Sequence, residues 1–325
     1  MTDRFRSHVR LAARIILALA LTVPLGIAGA ALSGIGHRWV DILAQFTGPA
    51  LIAAVGGLAA AGLLRSRILI GAAVVVCGLV LAAGAPQWAP SRGEAEAEAG
   101  SKGFSLYSAN LHALNTDVEA MATSIAAADA DVVVLIEVGD APAAAIDQVL
   151  TGYPYRAANI RMDRPSGAAR SIIASRRPLQ DIGLVVPGLS VVGAVVETPI
   201  GPVTVAGVHM TRPWPYQIQW EQIRQAEGLS AWARSIAGPV IAAGDFNSVS
   251  SARIGRIIKQ DGGLIPAPGW PGTWPTRLPA IAGITIDQVW RTPDLALVDR
   301  RLGLPTGSDH RPVITRFVRT ASPAA

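Results

Sequence analysis

Between residues 15 and 88 the chain carries three apolar runs, expected as helices at about 15–35, 40–64 and 68–88. At about 1.5 Å rise per residue, some twenty residues cross a hydrocarbon layer roughly 30 Å thick. The second run tolerates Asp41 near its start, and the first is uncharged. Residues 1–88 therefore read as a membrane anchor, a bundle of three transmembrane helices. Arg4, Arg6, Arg10 and Arg14 lie around its entry, and Arg65-Ser66-Arg67 separates the second and third runs. Arginine-rich flanks stay on the cytoplasmic side. Three spans then carry everything after Trp88 out of the cytoplasm of a multi-pass plasma-membrane protein, with Trp39 and Trp88 at the outer interface. Ala28-Gly29-Ala30 also offers a small-x-small cleavage site. An uncleaved helix is preferred because further spans follow, and cleavage would leave a hairpin returning the chain to the same side.

Charge distribution supports this division. Apolar residues make up 50% and charged residues 16% of the 325, with a mean hydropathy of +0.38, high for a soluble chain. The net charge of +5 and pI near 10 suggest a nucleic-acid binder until the charges are placed. From Gly103 onward Arg and Lys number 19 against 18 Asp and Glu, so most of the surplus belongs to the anchor and informs topology rather than ligand. Cys77, the single cysteine, lies in an apolar run and serves as small filler; it leaves the redox compartment open.

Residues 89–102, with Pro90, Gly93, Gly100 and alternating glutamates, read as a flexible linker. From 103 to 320 short apolar runs alternate with fewer helical stretches, and 321–325 form a tail. Strands are expected at 104–111, 132–136, 171–174, 184–186, 191–197, 203–208, 284–290, 295–298 and 313–318, with another in the apolar run 238–243. Helices are expected at 118–128 and 217–236. Many strands with few, separated helices fit two sheets packed face to face with helices outside.

Several strands end on polar residues. Gly244-Asp245-Phe246-Asn247-Ser248 follows an apolar run; read alone it is as well explained by an Asx turn as by a site. Its company adds weight: Asn110, Glu137 after four aliphatic residues, His209 after Val208, Asp287 after Ile286, and Ser308-Asp309-His310. A carboxylate ending a buried strand needs a partner or a metal. Mg²⁺ takes oxygen ligands and often only one or two carboxylates. An imidazole with a near-neutral pKa suits His310 to general-base work.

In this order the motifs, above all Gly-Asp-Phe-Asn with Ser-Asp-His, resemble those of the endonuclease/exonuclease/phosphatase superfamily over roughly residues 103–320. The resemblance implies an α/β (α+β) four-layer sandwich of two mixed β-sheets flanked by helices. It implies a metal-dependent phosphohydrolase using Mg²⁺, with Mn²⁺ as alternative. It makes Glu137 the principal metal ligand, with Asn110 near it and Asp309 contributing. His310 becomes the general base oriented by Asp287, and His209 the donor to a phosphate oxygen. Asp245 and Asn247 would position water and polarise the phosphoryl group, while the choice between Asp245 and His310 as base stays open. Four carboxylates sharing one pocket (Glu137, Asp245, Asp287 and Asp309) would themselves call for a cation. The spelling departs from the common pattern at Ile136 and Gln288, which bears on substrate rather than catalysis. Gly272-Thr273-Trp274-Pro275 and residues 167–179 resemble family connecting segments and are expected to be structural.

Thr211-Arg212-Pro213-Trp214-Pro215-Tyr216 either holds a phosphate beside an apolar tail or is a stiff surface loop. The anchor resembles that of bacterial membrane proteins of this superfamily, which favours a lipid-linked phosphate, a pyrophosphate or a phospholipid head group as substrate. A surface-tethered endonuclease or exonuclease, partnered by nucleic acid, is the alternative. An inactive envelope scaffold is the second.

Overall fold

The computed structural model describes residues 3–94, 102–213 and 219–321. It opens with the helices α1 (Asp3–Leu32), α2 (Arg38–Asp41), α3 (Thr47–Leu63) and α4 (Arg67–Trp88). Strand β1 (Gly103–Asn110), helix α5 (Val118–Ala128) and strand β2 (Val132–Ile136) follow. Two short helices, α6 (Asp140–Ala144) and α7 (Ile146–Val149), lead to β3 (Tyr155–Ala158) and β4 (Ile172–Ser175). Next come β5 (Leu179–Asp181), β6 (Ser190–Thr198), β7 (Gly201–His209), α8 (Gln219–Ser235), β8 (Val240–Asp245) and α9 (Arg253–Gln260). The chain closes with β9 (Ile265–Pro266), β10 (Asp287–Arg291), β11 (Leu295–Leu302) and β12 (Val313–Arg319).

Two six-stranded sheets result, ordered β11-β12-β1-β2-β4-β3 and β5-β6-β7-β8-β10-β9. Both are mixed: β1–β2 and β7–β8 are parallel, and the other pairings are antiparallel. The crossovers joining the parallel pairs contain α5 and α8, because a parallel return needs a long connection. Asp117 caps α5 by accepting from the Ala120 amide, and Asp129 ends it in the left-handed region.

The alternation of side chains along the central strands builds the layers. Val132, Val134 and Ile136 of β2 meet Val205, Ile241 and Ala243 of the opposite sheet. Val133 and Leu135, pointing the other way, pack beneath Met121 and Ile125 of α5. On the second sheet, Ala206, Val208 and Ala242 lie under Ile223 and Leu229 of α8 and Ile254 and Ile258 of α9. The order helix, sheet, sheet, helix is the expected four-layer sandwich. Burial on both faces also explains why β2 and β8 are continuous apolar runs instead of alternating ones.

The N-terminal part contains three helical stretches long and apolar enough to cross a membrane: Phe5–Leu32, Arg38–Leu63 and Arg67–Trp88. Their mutual contacts use small and β-branched residues, Ala28, Ala50, Ala54, Val76 and Val80, while Ile16, Leu19, Leu63 and Ile68 face outward. Gly57 lets α1 approach, since a Cβ there would meet Leu21.

Local readings differ in places. The second stretch is broken: α2, a 3₁₀ turn (Ile42–Phe46) and then α3. Asp41 explains the break. Its carboxylate leaves the bundle to accept from Gln219 Nε2 at 2.8 Å and the Arg253 amide at 2.9 Å, with Arg256 at 3.7 Å. The expected strand at 184–186 is absent, because pairing with β6 ends at the Ile182 amide and Gly183 and Gly188 turn the chain on either side. Pairing instead involves β5, just upstream. The strands β3 and β9 and the helix α9 were not foreseen: β3 and β9 are too short for periodicity to reveal, and α9 spans barely two turns. Of the stretch expected to be flexible, Arg92 accepts from the Leu297 amide and Ser91 from Arg291 Nη2, and residues 95–101 lie outside the described residues.

Replacing Asp41 by Ala strands the Gln219 and Arg253 donors, at a cost of about 1–3 kcal/mol. Hydrogen exchange should accelerate in Arg253–Gln260 and stay unchanged in β1 and β2; a uniform or absent change would deny Asp41 this local role.

Candidate active site

The parallel pairs run so that their carboxyl ends open on one side of the sandwich. Register places Asn110 beside Ile136, His209 beside Asp245, and Asp287 beside Asp245. Each polar residue thus emerges where the apolar strand ends, the usual location of a ligand crevice in sheets of this kind.

Glu137 turns off β2 with φ of 52°, a left-handed conformation rare for glutamate. Held strain of this type costs about 1–3 kcal/mol and gathers at functional sites. The turn is braced by Arg170, fully buried, whose Nη1 donates to the Val138 carbonyl at 2.8 Å and to that of Gly139 at 3.2 Å. Glu137 Oε1 accepts from Asn110 Nδ2 at 2.9 Å, and Oε2 accepts from the Ala113 amide at 3.2 Å. Asn110 Nδ2 also donates to Asp245 Oδ2 at 3.0 Å, so its amide nitrogen, rather than its oxygen, bridges the two carboxylates.

His209 Nε2 lies 3.4 Å from Glu137 Oε1. Its Nδ1 is 3.2 Å from the Ala168 carbonyl, which can only accept, so Nδ1 carries the proton. In the neutral imidazole Nε2 is then a lone pair facing the carboxylates, suited to a metal; only the imidazolium donates from Nε2 to a phosphate oxygen.

Asp245 Oδ1 accepts from the Asn247 amide at 2.8 Å. Asn247 is itself left-handed at φ 49°, and its Nδ2 donates to the Met210 carbonyl. Gly244, at φ 141°, is required here: a Cβ would fall 2.1 Å from the Val208 carbonyl oxygen of the neighbouring strand.

Asp287 reaches His310 Nδ1 with both oxygens, at 3.0 and 2.9 Å. This points His310 Nε2 into the crevice, 4.0 Å from Asp245 Oδ2 and 3.9 Å from Asp309 Oδ1. Burial opposes the imidazolium, but the charge and hydrogen bond of Asp287, with Asp245 and Asp309, outweigh it and raise the His310 pKa to about 10. Burial raises Asp245 to about 6, His310 opposing and Asp287 adding to the rise.

The structure thus brings Asn110, Glu137, His209, Asp245, Asn247, Asp287 and His310 together. Asp309 stands at the rim, half-exposed, its Oδ2 accepting from Trp274 Nε1 at 2.9 Å and its Oδ1 3.8 Å from His112. Trp274, read from sequence as part of a packing segment, therefore belongs to the rim. Arg170, an isolated arginine before a strand, offered no sequence signal. Of the loop after His209, Arg212 and Pro213 border the crevice and residues 214–218 lie outside the described residues. Two cavities flank Asn247: one of about 490 Å³ runs past His310, and one of about 480 Å³ runs past Glu137 and His209.

A hard divalent cation fits this donor set. Ligand atoms of Glu137, His209 and Asp245 lie within 4.8 Å of one another, as do those of Asp245, Asp287 and His310. Glu137, Asp245 and Asp287 are all buried, and among the described residues none has an Arg or Lys ion pair. The His310 imidazolium offsets only part of this negative charge, which leaves a demand for a cation.

A sandwich with acidic and imidazole groups at the carboxyl ends of its parallel strands defines a phosphoester hydrolase of the metal-dependent class. Residues 107–310 match the model of the Endonuclease/Exonuclease/phosphatase family, well over half of the chain. The chain belongs to that family. Similar structures include an endonuclease/exonuclease/phosphatase from Beutenbergia cavernae, at 20% identity and a TM-score of 0.55 over 69% of this chain and 73% of the other. Humanized D. rerio TDP2 matches at 17% identity and a TM-score of 0.52, over 66% of this chain and 98% of the other. A beta toxin mutant from Staphylococcus aureus, with bound magnesium ions, matches at 16% and 0.52, over 67% of this chain and all of the other, 100%. These likenesses concern fold. No curated protein sequence matches the chain.

Titrating EDTA-treated protein with Mg²⁺ or Mn²⁺ should raise its unfolding midpoint, by about 2.7 kcal/mol of stability at a hundredfold excess over Kd. Glu137→Gln should remove most of that shift; a full shift in the variant would take Glu137 out of the ligand set.

Proposed function

We propose that this chain is a membrane-anchored phosphohydrolase with its catalytic part outside the cytoplasm, cleaving a phosphoester or pyrophosphate bond by attack of activated water. The carrying observation is the His310–Asp287 pair facing Asp245 across 4.0 Å beside Glu137 and His209. A water oxygen about 2.8 Å from both His310 Nε2 and Asp245 Oδ2 fits that separation.

With His310 held as imidazolium by its carboxylates, Asp245 has the free lone pair and takes the water proton. His310 Nε2 donates to the same water and orients it, and Asp287 holds the ring and balances its charge. Asn110 and the Asn247 amide fix the orientation of the Asp245 carboxylate. Glu137, Asp245 and His209 through Nε2 would hold the cation, with Asp309 contributing from the rim. A bound Mg²⁺ supplies charge neutralisation for the carboxylates and the phosphate. Attack then places the water oxygen on phosphorus and breaks the bond to the leaving oxygen on the opposite side, which takes its proton from solvent while Asp245 returns the water proton to solvent.

Topology is supported by the ends of the bundle. Arg14 Nη2 donates to the Leu64 carbonyl, so the basic entry and the Arg65/Arg67 turn share one end. At the opposite end the Gly269 amide donates to Gln87, tying the bundle to the catalytic part. A lipid-linked phosphate, pyrophosphate or phospholipid head group is the preferred substrate, because tethering concentrates the site where such molecules reside. The near-neutral charge of the catalytic part gives a DNA groove less support.

The test is hydrolysis by the full chain in detergent with Mg²⁺, comparing a lipid pyrophosphate with plasmid DNA. His310→Ala and Asp245→Asn should each lower kcat about 10²–10⁴-fold, and EDTA should abolish turnover. DNA nicking with inert lipid would establish the nuclease alternative, and silence on every phosphate ester would favour the scaffold. A reporter fused after Trp88 should read as extracytoplasmic; a cytoplasmic signal would refute the topology.

A further inference from the structure

The cavity of about 490 Å³ beside His310 has two unlike ends. His310, Asn247, Asp309 and Arg212 form one, offering charge and hydrogen bonds. At the other, Ile284 and Ile286 of the catalytic part meet Trp39, Ile42, Gln45 and Phe46, which head the second apolar stretch, while Trp274 lines the same cavity and reaches the polar end through its Nε1 bond to Asp309. The anchor therefore supplies one wall of the active-site cavity.

This wall is fixed in place. Asp41 is held by Gln219 and the Arg253 amide, and Arg253 Nη1 donates to the Gly36 carbonyl at 2.5 Å. Ala44 is buried with Val249, Ala252, Ile284 and Ile286, one apolar cluster shared by anchor and catalytic part. Trp39 and Phe46, by contrast, keep 49% and 39% of their surface exposed, so part of each ring is open to the cavity and its mouth.

Resting on the phosphohydrolase reading, we infer that this part of the cavity is an acyl-chain subsite: the cavity takes a membrane-resident phosphate ester, its phosphate at His310 and its hydrocarbon chain beyond the first four carbons against Ile42 and Phe46. Continuity with the phosphate end and derivation from the spanning segment select this occupant. A chain leaving the bilayer beside α2 enters the cavity without crossing open water. Ile42 and Phe46 are specificity-determining contacts and take no part in proton transfer.

The experiment uses full-length protein in nanodiscs and two phosphonates that hydrolysis cannot consume, butylphosphonate and decylphosphonate, titrated with Mg²⁺ present. Each methylene buried should tighten binding about fourfold. Decylphosphonate should therefore bind wild type at least about tenfold tighter than the Ile42→Ser/Phe46→Ser protein, while butylphosphonate binds both alike. Because partition into the nanodisc is common to both proteins, the difference reports the wall. Phe46→Leu, which keeps an apolar surface, should restore most of it. Equal decylphosphonate affinity in wild type and the double variant, with butylphosphonate binding intact, overturns the subsite and leaves the phosphohydrolase reading standing. Failure of butylphosphonate to bind wild type in an Mg²⁺-dependent way overturns both.

Discussion

The active site depends on the apolar contact between the two sheets. Ile136 and its partners in β2 pack against Ala243 and Ile241 of β8, and neither strand can bend or admit water while both faces are covered. Polarity is allowed only where the strands stop. Glu137 and Asp245 stand one residue past the last core position of β2 and at the final residue of β8, and the packing of the sheets brings them into one crevice. The residue before Asp245 must be glycine, since a Cβ would strike the Val208 carbonyl of the adjacent strand and come within 3.0 Å of Ile136 across the two sheets. Precision in the site is thus inherited from packing in the core.

That packing also creates an electrostatic problem. Three carboxylates are brought into low-dielectric surroundings with two histidines and no Arg or Lys ion pair among the described residues. The protein divides the difficulty. Asn110 places its amide between Glu137 and Asp245, and Asp287 gives both oxygens to one ring nitrogen of His310. The charges of Asp287, Asp245 and Asp309 raise His310 to about 10 and burial raises Asp245 to about 6, so the proton chemistry and the demand for a cation both follow from burying carboxylates together.

Much of this was legible in the chain because Asn110, Glu137, His209, Asp245 and Asp287 end or follow distinct apolar runs, while His310, in a loop ahead of β12, was marked by its Ser-Asp-His motif. Helix α5 and strand β2 match their expected bounds, and the motif residues from Asn110 to His310 meet in space. What stayed hidden is set by contacts between distant segments. Arg170 acts on backbone carbonyls, and nothing in its neighbours announces that. Trp274 gains its meaning from Asp309, and the break at Asp41 from α8 and α9. The apolar count described the second stretch as one span because hydropathy cannot see a carboxylate leaving the bundle for a partner far along the chain. The triplet 184–186 failed for the opposite reason: locally it is strand-like, but the glycines around it redirect the backbone.

The attachment at Asp41, Gly36 and Gln87 changes how the enzyme would meet its substrate if the bundle spans a bilayer. A catalytic part on a loose leash searches a volume above the surface and sees bulk concentrations. One bolted to its anchor holds its mouth at a constant height and angle, so encounters become collisions of two bodies diffusing in a plane. Its rate then follows substrate molecules per unit area, and diluting the membrane with inert lipid slows it even when the total amount of substrate is unchanged.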